Sequence, residues 1–315
     1  MNESATNPGV RWIEIDDEHA GQRIDNFLFA RLKGVPKSLI YRILRSGEVR
    51  RNGGRIKPLD RLSAGDRLRI PPIRISEGTA PVEASPKLSG QIESRILLED
   101  SDLLVLNKPS GLAVHGGSGL SFGLIEALRA IRPEAKHLEL VHRLDRETSG
   151  CLLIAKRRSA LKSLHDQFRD DEVSKVYLAL VHGKWSKRAD RIEAPLRKNV
   201  LKSGERVVVV ARDGKPAVTD FRRIRAFDQA TLVEARPVTG RTHQIRVHAQ
   251  SMGHPLCGDE RYAPEEANRC LRQLGLKRLF LHARETTFRH PRSGSETHVM
   301  APLDPELQRF MDQLA

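Results

Sequence analysis

Between Pro71 and residue 92 the chain has no sustained hydrophobic period. The stretch is rich in Pro, Ser, Glu and Gly, and neither a helical nor a strand spacing of apolar residues runs across it. A chain interrupted this way folds as two units, and 315 residues is a two-domain length. The reading that follows is a polar lead-in over 1–20, a small unit over 21–74, a linker of limited order over 75–92 and a large unit over 93–315.

Charge separates the two units. The net charge is +14, and residues 21–74 hold 14 Lys and Arg against 4 Asp and Glu, which is +10 of that excess. Generic solubility charge would be spread evenly, whereas charge packed into one short segment points to a polyanionic partner. Only 4% of residues are aromatic, so any base stacking must rest on a few specific rings. Cys151, Cys257 and Cys270 are far apart and form no C-x-x-C pair, which fits a reducing cytoplasm and not a disulfide framework or structural zinc. The N-terminus lacks the basic and apolar stretches of a signal peptide, and no apolar run reaches membrane-spanning length.

In the small unit, Gly21 to Leu32 predicts a helix with Ile24, Phe27, Leu28 and Leu32 on one face. Pro36 opens a second helix with Leu39, Ile40, Ile43 and Leu44 as its apolar stripe, and Gly47 ends it. Asn52-Gly53 is a tight-turn signal between short basic strands, and Arg67–Ile70 alternates as a strand. The large unit carries many short strand signals and scattered helices. That pattern predicts a mixed, largely antiparallel α+β domain.

Three segments could carry chemistry. Val141 to Gly150 (V-H-R-L-D-R-E-T-S-G) places Asp145 between Arg143 and Arg146, ahead of an apolar strand. Flanking cations favour the ionised carboxylate, which is a competent nucleophile toward an electrophilic ring carbon or a sugar anomeric carbon. Taken alone, the run describes an ordinary turn equally well, since Asp, Ser and Thr cap helices and Gly ends them. Gly240 to His248 (G-R-T-H-Q-I-R-V-H) predicts a helix capped by Thr242, with His243, Arg246 and Gln250 on one face. Such a face could bind a phosphate, pair with a buried Asp or simply be solvated. In Lys175 to Leu180, strand alternation sets Tyr177 on the face of Lys175 and Ala179, as a stacking ring or an edge-strand tyrosine. Gly116 to Gly119 is not a phosphate-binding P-loop, because no Lys-Ser/Thr follows, and reads as a mobile loop near a polyanion. No H-E-x-x-H, no Cys/His ligand cluster and no dinucleotide fingerprint is present, so neither metal nor nucleotide chemistry is expected.

Together, H-R-L-D-R-E-T-S-G, K-V-Y-L-A and G-R-T-H-Q-I-R-V-H resemble, in this order, the three signature segments of the RluA family of pseudouridine synthases. Leu103–His115 resembles that family's opening segment, Leu279–Ala283 its closing one, and residues 21–70 an S4 RNA-binding domain. The likeness covers nearly the whole chain and is greatest to members that act on bacterial 23S large-subunit ribosomal RNA. It implies a small N-terminal S4-like α/β RNA-binding domain joined to an α+β catalytic domain that isomerises uridine to pseudouridine, at several sites. It implies Asp145 as nucleophile, Tyr177 as the ring that stacks on the target base and takes the C5 proton, and Arg246 as the cation paired with the nucleophile. It further implies that Arg143 fills the gap left by the flipped base, that Leu281 walls the pocket, and that His142, Arg241 and His243 join them in binding substrate. Glu147 replaces an Asp and Ala263 a Gly seen in many relatives, neither at the proposed chemistry. Attack at uracil C6 and attack at ribose C1′ use the same residues.

The reaction imports no group and oxidises nothing, so no nucleotide, metal or organic cofactor is expected. Target atoms inside a stacked helix are inaccessible, so the uridine must leave the stack. Lys37, Arg42, Arg45, Arg50, Arg51, Arg55 and Lys57 would contact phosphates, which positions RNA without reading its sequence. The expected partner is 23S ribosomal RNA, free or in a large-subunit precursor, met in the cytoplasm by a monomer with no membrane attachment. A non-catalytic S4-type assembly protein would leave the three segments unexplained. A metal-dependent nuclease would need clustered ligands, and a tRNA-charging enzyme an ATP-binding half.

Overall fold

The structure is a computed structural model that describes residues 9–32, 35–73, 86–116, 123–135, 137–186, 189–200 and 206–314. Most of the Gly116–Gly119 loop and the middle of the linker stretch lie outside these. The chain divides into two compact units, Met1–Val82 and Glu83–Ala315.

The small unit runs β1 (Arg11–Glu14), α1 (Ile24–Arg31), α2 (Lys37–Arg45), β2 (Arg50–Arg51), β3 (Gly54–Arg55) and β4 (Arg67–Ile70). Its four strands form an antiparallel sheet in the order β1-β4-β2-β3. Asn52 and Gly53 both have positive φ, as the two-residue turn between β2 and β3 requires. The apolar stripes of α1 and α2 pack on Leu68 and Ile70 of the sheet, in a core of thirteen buried apolar residues. Burial of a large apolar side chain contributes about 1.5–3 kcal/mol, so this unit has a core of its own despite its size. Strand β1 and the buried Ile15 fall in the stretch read as a lead-in. R-W-I-E has no clear alternation by itself and becomes a strand by pairing with β4, more than fifty residues on.

The large unit runs α3 (Pro86–Glu93), β5 (Ile96–Glu99), β6 (Leu103–Lys108), α4 (Leu124–Ile131), β7 (Glu139–Leu140), β8 (Ser149–Ala155), α5 (Arg158–Arg169), β9 (Ser174–His182), β10 (Ala189–Glu193), β11 (Leu196–Val200) and β12 (Arg206–Val210). It continues with β13 (Val218–Ala226), β14 (Ala230–Pro237), α6 (Gln244–Ser251), α7 (Glu265–Gln273), β15 (Leu281–Arg289), β16 (Glu296–Met300) and α8 (Pro305–Gln313). Helix α3 occupies the end of the stretch read as linker, where Ile92 is buried against α4. Helix α7 and strands β10, β11 and β16 were not visible in the sequence pattern.

A ten-stranded sheet in the order β10-β13-β14-β9-β15-β8-β6-β5, with β16 on β15 and β7 on β8, forms the frame. Strands β6 and β8 are buried along their whole length, which explains their continuous apolar runs. All pairings of the sheet are antiparallel except β8 with β15, at its centre. There Gly150, at φ +110, comes so close to β15 that a Cβ would lie 2.1 Å from the Ala283 carbonyl oxygen. Only glycine allows that approach, which fixes the end of the Asp145 loop against the central strand.

Candidate active site

The central strands gather the three chemical segments. The loop ahead of β8 carries Asp145, β9 carries Tyr177, β15 carries Leu281, and the start of α6 carries His243 and Arg246. They line one cavity of about 630 Å³. His142, Arg143 and Arg241 also line it, together with Phe168, Lys175 and others.

Half-buried Asp145 directs Oδ2 toward two groups of α6: His243 Nε2 at 3.8 Å and Arg246 Nη1 at 3.9 Å. The arginines beside it in sequence do not approach in this way. Arg143 is exposed at the cavity wall, and Arg146 donates from Nε to the Gly111 carbonyl at 2.9 Å. The cation facing the Asp145 carboxylate therefore comes from a hundred residues downstream.

Arg246 is held mainly by another carboxylate. Its Nε and Nη2 each donate at 2.7 Å to buried Asp259, leaving Nη1 for Asp145. Burial alone would lower the pKa of Arg246, but the Asp259 carboxylate and then Asp145 outweigh it and hold the guanidinium charged. Asp259 also accepts the Arg261 and Tyr262 backbone N–H groups. The guanidinium lies over the Tyr262 ring, 4.9 Å from its centroid. Position, angle and charge of Arg246 are thus fixed before any substrate arrives.

His243 is set up by the same loop. It sits at the left-handed N-cap of α6 with φ 53, so Thr242 is not the cap the sequence suggested. Tyr262 Oη accepts from Val208 N–H at 2.9 Å and lies 2.7 Å from His243 Nδ1. Burial pushes the His243 pKa down to about 4, with Arg246 and Arg261 adding to the push and Asp145 opposing it. The ring is neutral at pH 7. Nδ1 is engaged by the tyrosine hydroxyl, and Nε2 is the ring nitrogen that faces Asp145.

Tyr177 packs between two apolar clusters, and its ring is presented to the cavity. Burial, and secondarily the charge of Asp145, raises its phenol above the usual range. It is a neutral, apolar-backed ring, suited to stacking on a planar base. A neutral phenol is a poor proton acceptor, so any proton it takes requires prior loss of its own.

Comparison with known proteins gives the family. The family described as RNA pseudouridylate synthase matches residues 102–251, and the S4 domain family matches residues 22–68. "Ribosomal large subunit pseudouridine synthase C" of Pasteurella multocida is 56% identical over 314 residues, covering 99% of this chain and 96% of that protein. The protein of the same name from Escherichia coli is 56% identical, covering 98% and 97%. The solved structure titled "Human RNA Pseudouridylate Synthase Domain Containing 4" superposes with a TM-score of 0.61 at 26% identity, over 72% of this chain and 95% of that one. The chain belongs to the RNA pseudouridylate synthase family. It is an isomerase that converts uridine in RNA to pseudouridine.

In this synthase the Asp145 loop is clamped from behind. Lys108 is fully buried and donates from Nζ to the carbonyls of Pro109, Leu112 and Arg146 at 2.8–3.0 Å. Burial pushes its pKa down to about 7, while three carbonyls match the three donors that only the ammonium form has. Ser110 Oγ donates to the Glu147 carbonyl, and Gly111 N–H to that of Arg146. At the start of β8, Ser149 Oγ accepts from Arg278 and meets buried His282. The segment Leu103–His115 therefore braces the Asp145 loop.

The remaining expected residues have mixed fates. His142 accepts the Leu153 N–H on Nε2 and stacks on Phe168 at 4.9 Å, so much of its ring is committed to the fold. Burial pushes it down to about 4. Arg241 donates to the Pro216 carbonyl, and its backbone N–H to Gln244 Oε1. Asp259, Tyr262 and Lys108 were missed as site residues. Nothing in the local pattern around G-D-E-R-Y marks Asp259 as the partner of Arg246, although a buried arginine requires one. Asp100, Asp102 and His290 bring three potential metal-ligand atoms together away from the cavity. Their hydrogen bonds already serve one another and the cation Arg292.

In the small unit, Arg42, Arg45, Arg50, Arg55 and Lys57 are exposed and Arg51 is half-buried, with Nη1 on the Arg61 carbonyl. Lys37 begins α2, and its side chain lies outside the described residues. Among the described residues, no helix is long and apolar enough to cross a membrane.

Proposed function

We propose that this synthase modifies several uridines of bacterial 23S ribosomal RNA in the cytoplasm, as a monomer without a nucleotide cofactor, with Asp145 as its nucleophile. The observation that carries this is the single cavity in which the Asp145 carboxylate faces Arg246 and His243 beside the Tyr177 ring. The names of its full-length relatives supply the large-subunit RNA as substrate.

The target uridine flips from its stack into this cavity. The Tyr177 ring stacks on the base and Leu281 backs it, while Arg143 on the exposed wall enters the gap. Stacking of about 1–3 kcal/mol offsets part of the unstacking cost. The Asp145 carboxylate then bonds to the substrate and the glycosidic bond to N1 breaks; the base turns, C5 bonds to C1′, the bond to Asp145 breaks to return the free carboxylate, and the C5 proton passes to a base and on to solvent. Arg246 keeps the carboxylate oriented and balances its charge. Arg42, Arg45 and the other exposed cations of the S4-like domain hold RNA phosphates.

Large-subunit RNA carrying tritium at uracil C5 tests this reading, since forming the new carbon–carbon bond expels that hydrogen. Release by the wild type and none by Asp145→Asn, with RNA binding retained, is the expected result. Equal release by both proteins would remove Asp145 from the chemistry. Release from other RNAs but none from large-subunit RNA would overturn the substrate.

A further inference from the structure

The outer face of the small sheet carries a row of side chains of which the proposed function uses Arg50 and Arg55 alone, as phosphate contacts, and the inference drawn from the row rests on that reading. Trp12 on β1 is the register partner of Arg69 on β4, Arg69 of Arg50 on β2, and Arg50 of Arg55 on β3. Directly paired residues share a face, so these four stand side by side across all four strands. Three strand spacings make the row about 14 Å long. The opposite face is the core side, where Leu68 and Ile70 are buried.

Trp12 is 54% exposed, unusual for a tryptophan, and the Arg67 guanidinium lies 5.5 Å from its ring centroid. Among the described residues, none of Arg50, Arg55, Arg67 and Arg69 pairs with a carboxylate; Glu14, opposite Arg67, is the acidic residue within these strands. Arg69 and Arg50 donate to the carbonyls of Glu48 and Gly53, which steadies them without neutralising them. An open aromatic ring at the end of a line of uncompensated guanidiniums combines the two elements of a single-strand nucleic-acid surface: a stacking platform and a cationic track.

We infer that this sheet face is a second RNA-contact surface, on which an unpaired base stacks on Trp12 while the adjoining phosphates follow Arg69, Arg50 and Arg55. Arg50 and Arg55 were expected to touch phosphates; Trp12, Arg67 and Arg69 turn scattered cations into a site with a preference. The guanidinium of Arg67 backs one side of the indole and leaves the ring open to a base. Unpaired RNA is favoured over duplex, because only a splayed base can reach the ring.

The test uses the full chain, a twelve-nucleotide single-stranded oligouridylate and an RNA duplex of the same length. The chain has two tryptophans, and Trp185 is buried, so quenching of emission by bound RNA reports Trp12. Oligouridylate should quench the wild type and not Trp12→Ala, and the substitution should weaken single-strand binding by roughly fivefold or more while leaving duplex binding within about twofold. Trp12→Phe should keep most of the affinity, which separates stacking from folding. Binding that leaves the indole emission unchanged would overturn the inference and leave the face to a protein partner. An equal loss on single strand and duplex would also overturn it. Because the readout is binding without turnover, its failure would leave the isomerase reading untouched.

Discussion

The two units handle positive charge in opposite ways. In the small unit the arginines of the sheet face and of α2 lie on the surface, and those of the sheet face have no carboxylate partners among the described residues. In the large unit the arginine that faces Asp145, Arg246, is buried and bonded twice to a buried aspartate. Exposed charges act through solvent: they attract phosphates, tolerate imprecise placement and weaken with salt. A buried charge cannot exist without its partner, and in return the partner fixes its position to within a hydrogen bond. The small unit is therefore built for affinity and the large one for geometry, and substitutions should separate the two.

The largest effect should come from Asp145→Asn. It removes the carboxylate charge proposed to attack while keeping the side chain's shape, so turnover should fall by about 10⁴-fold or more with RNA affinity within a few-fold of wild type. Single-turnover kinetics at saturating enzyme measure the first, and equilibrium titration the second. A comparable drop in affinity would mean that the large unit too is a binding surface, and the contrast would fail.

Asp259→Asn should come next. Arg246 would be left buried with half its partners, at a cost of about 3–5 kcal/mol in stability. The freed guanidinium should swing toward Asp145, so the rate should fall further than the stability loss explains. Urea unfolding and single-turnover rates on the same preparation check both. If stability falls and the rate of the folded fraction is unchanged, Asp259 supports the fold and does not position Arg246.

How much of this was legible in the sequence follows from the same contrast. Surface charge needs no partner, so Arg42, Arg45, Arg50 and Arg55 could be read from composition and helix period alone. Asp145, Tyr177 and Arg246 could be singled out because their segments have distinctive patterns, and the fold brings them to one cavity. Their partners were invisible, because Asp259 meets Arg246 and Lys108 meets the Arg146 carbonyl only through the packing of the central sheet. Local grammar failed in the same way at β1 and α3. Each is a short segment of unremarkable pattern made regular by a distant neighbour, β4 in one case and α4 in the other. Sequence neighbours do not supply the ion pair: Arg143 shares the cavity with Asp145 and Arg146 bonds the Gly111 carbonyl, while the cation facing the Asp145 carboxylate is Arg246.

A smaller effect tests the surface half of the comparison. Arg42→Glu combined with Arg45→Glu should weaken RNA binding by roughly tenfold at low salt. The slope of log affinity against log salt should flatten by about 1.4, at about 0.7 for each single-strand phosphate that is no longer neutralised. The rate at saturating enzyme should hardly move. A collapse of that rate would show that the S4-like domain does more than hold the backbone.

The smallest effect concerns protons in the large unit. His142 is pushed down to about 4 by burial, against about 6.5 for an unfolded histidine. Between those values the unfolded chain binds the proton and the folded one does not. Stability is therefore full above about 6.5 and falls as pH drops toward 4, by at most about 1.4 kcal/mol per unit for this ring. His142→Gln can still accept the Leu153 N–H and does not titrate, so it should be less stable than wild type at pH 7 yet lose less on going to pH 5. Urea titrations of both proteins at pH 7, 6 and 5 decide it. Parallel curves would mean that the His142 ring already reaches solvent in the folded state, and the large unit's site would then be wetter and closer in character to the small unit's surface than its packing implies.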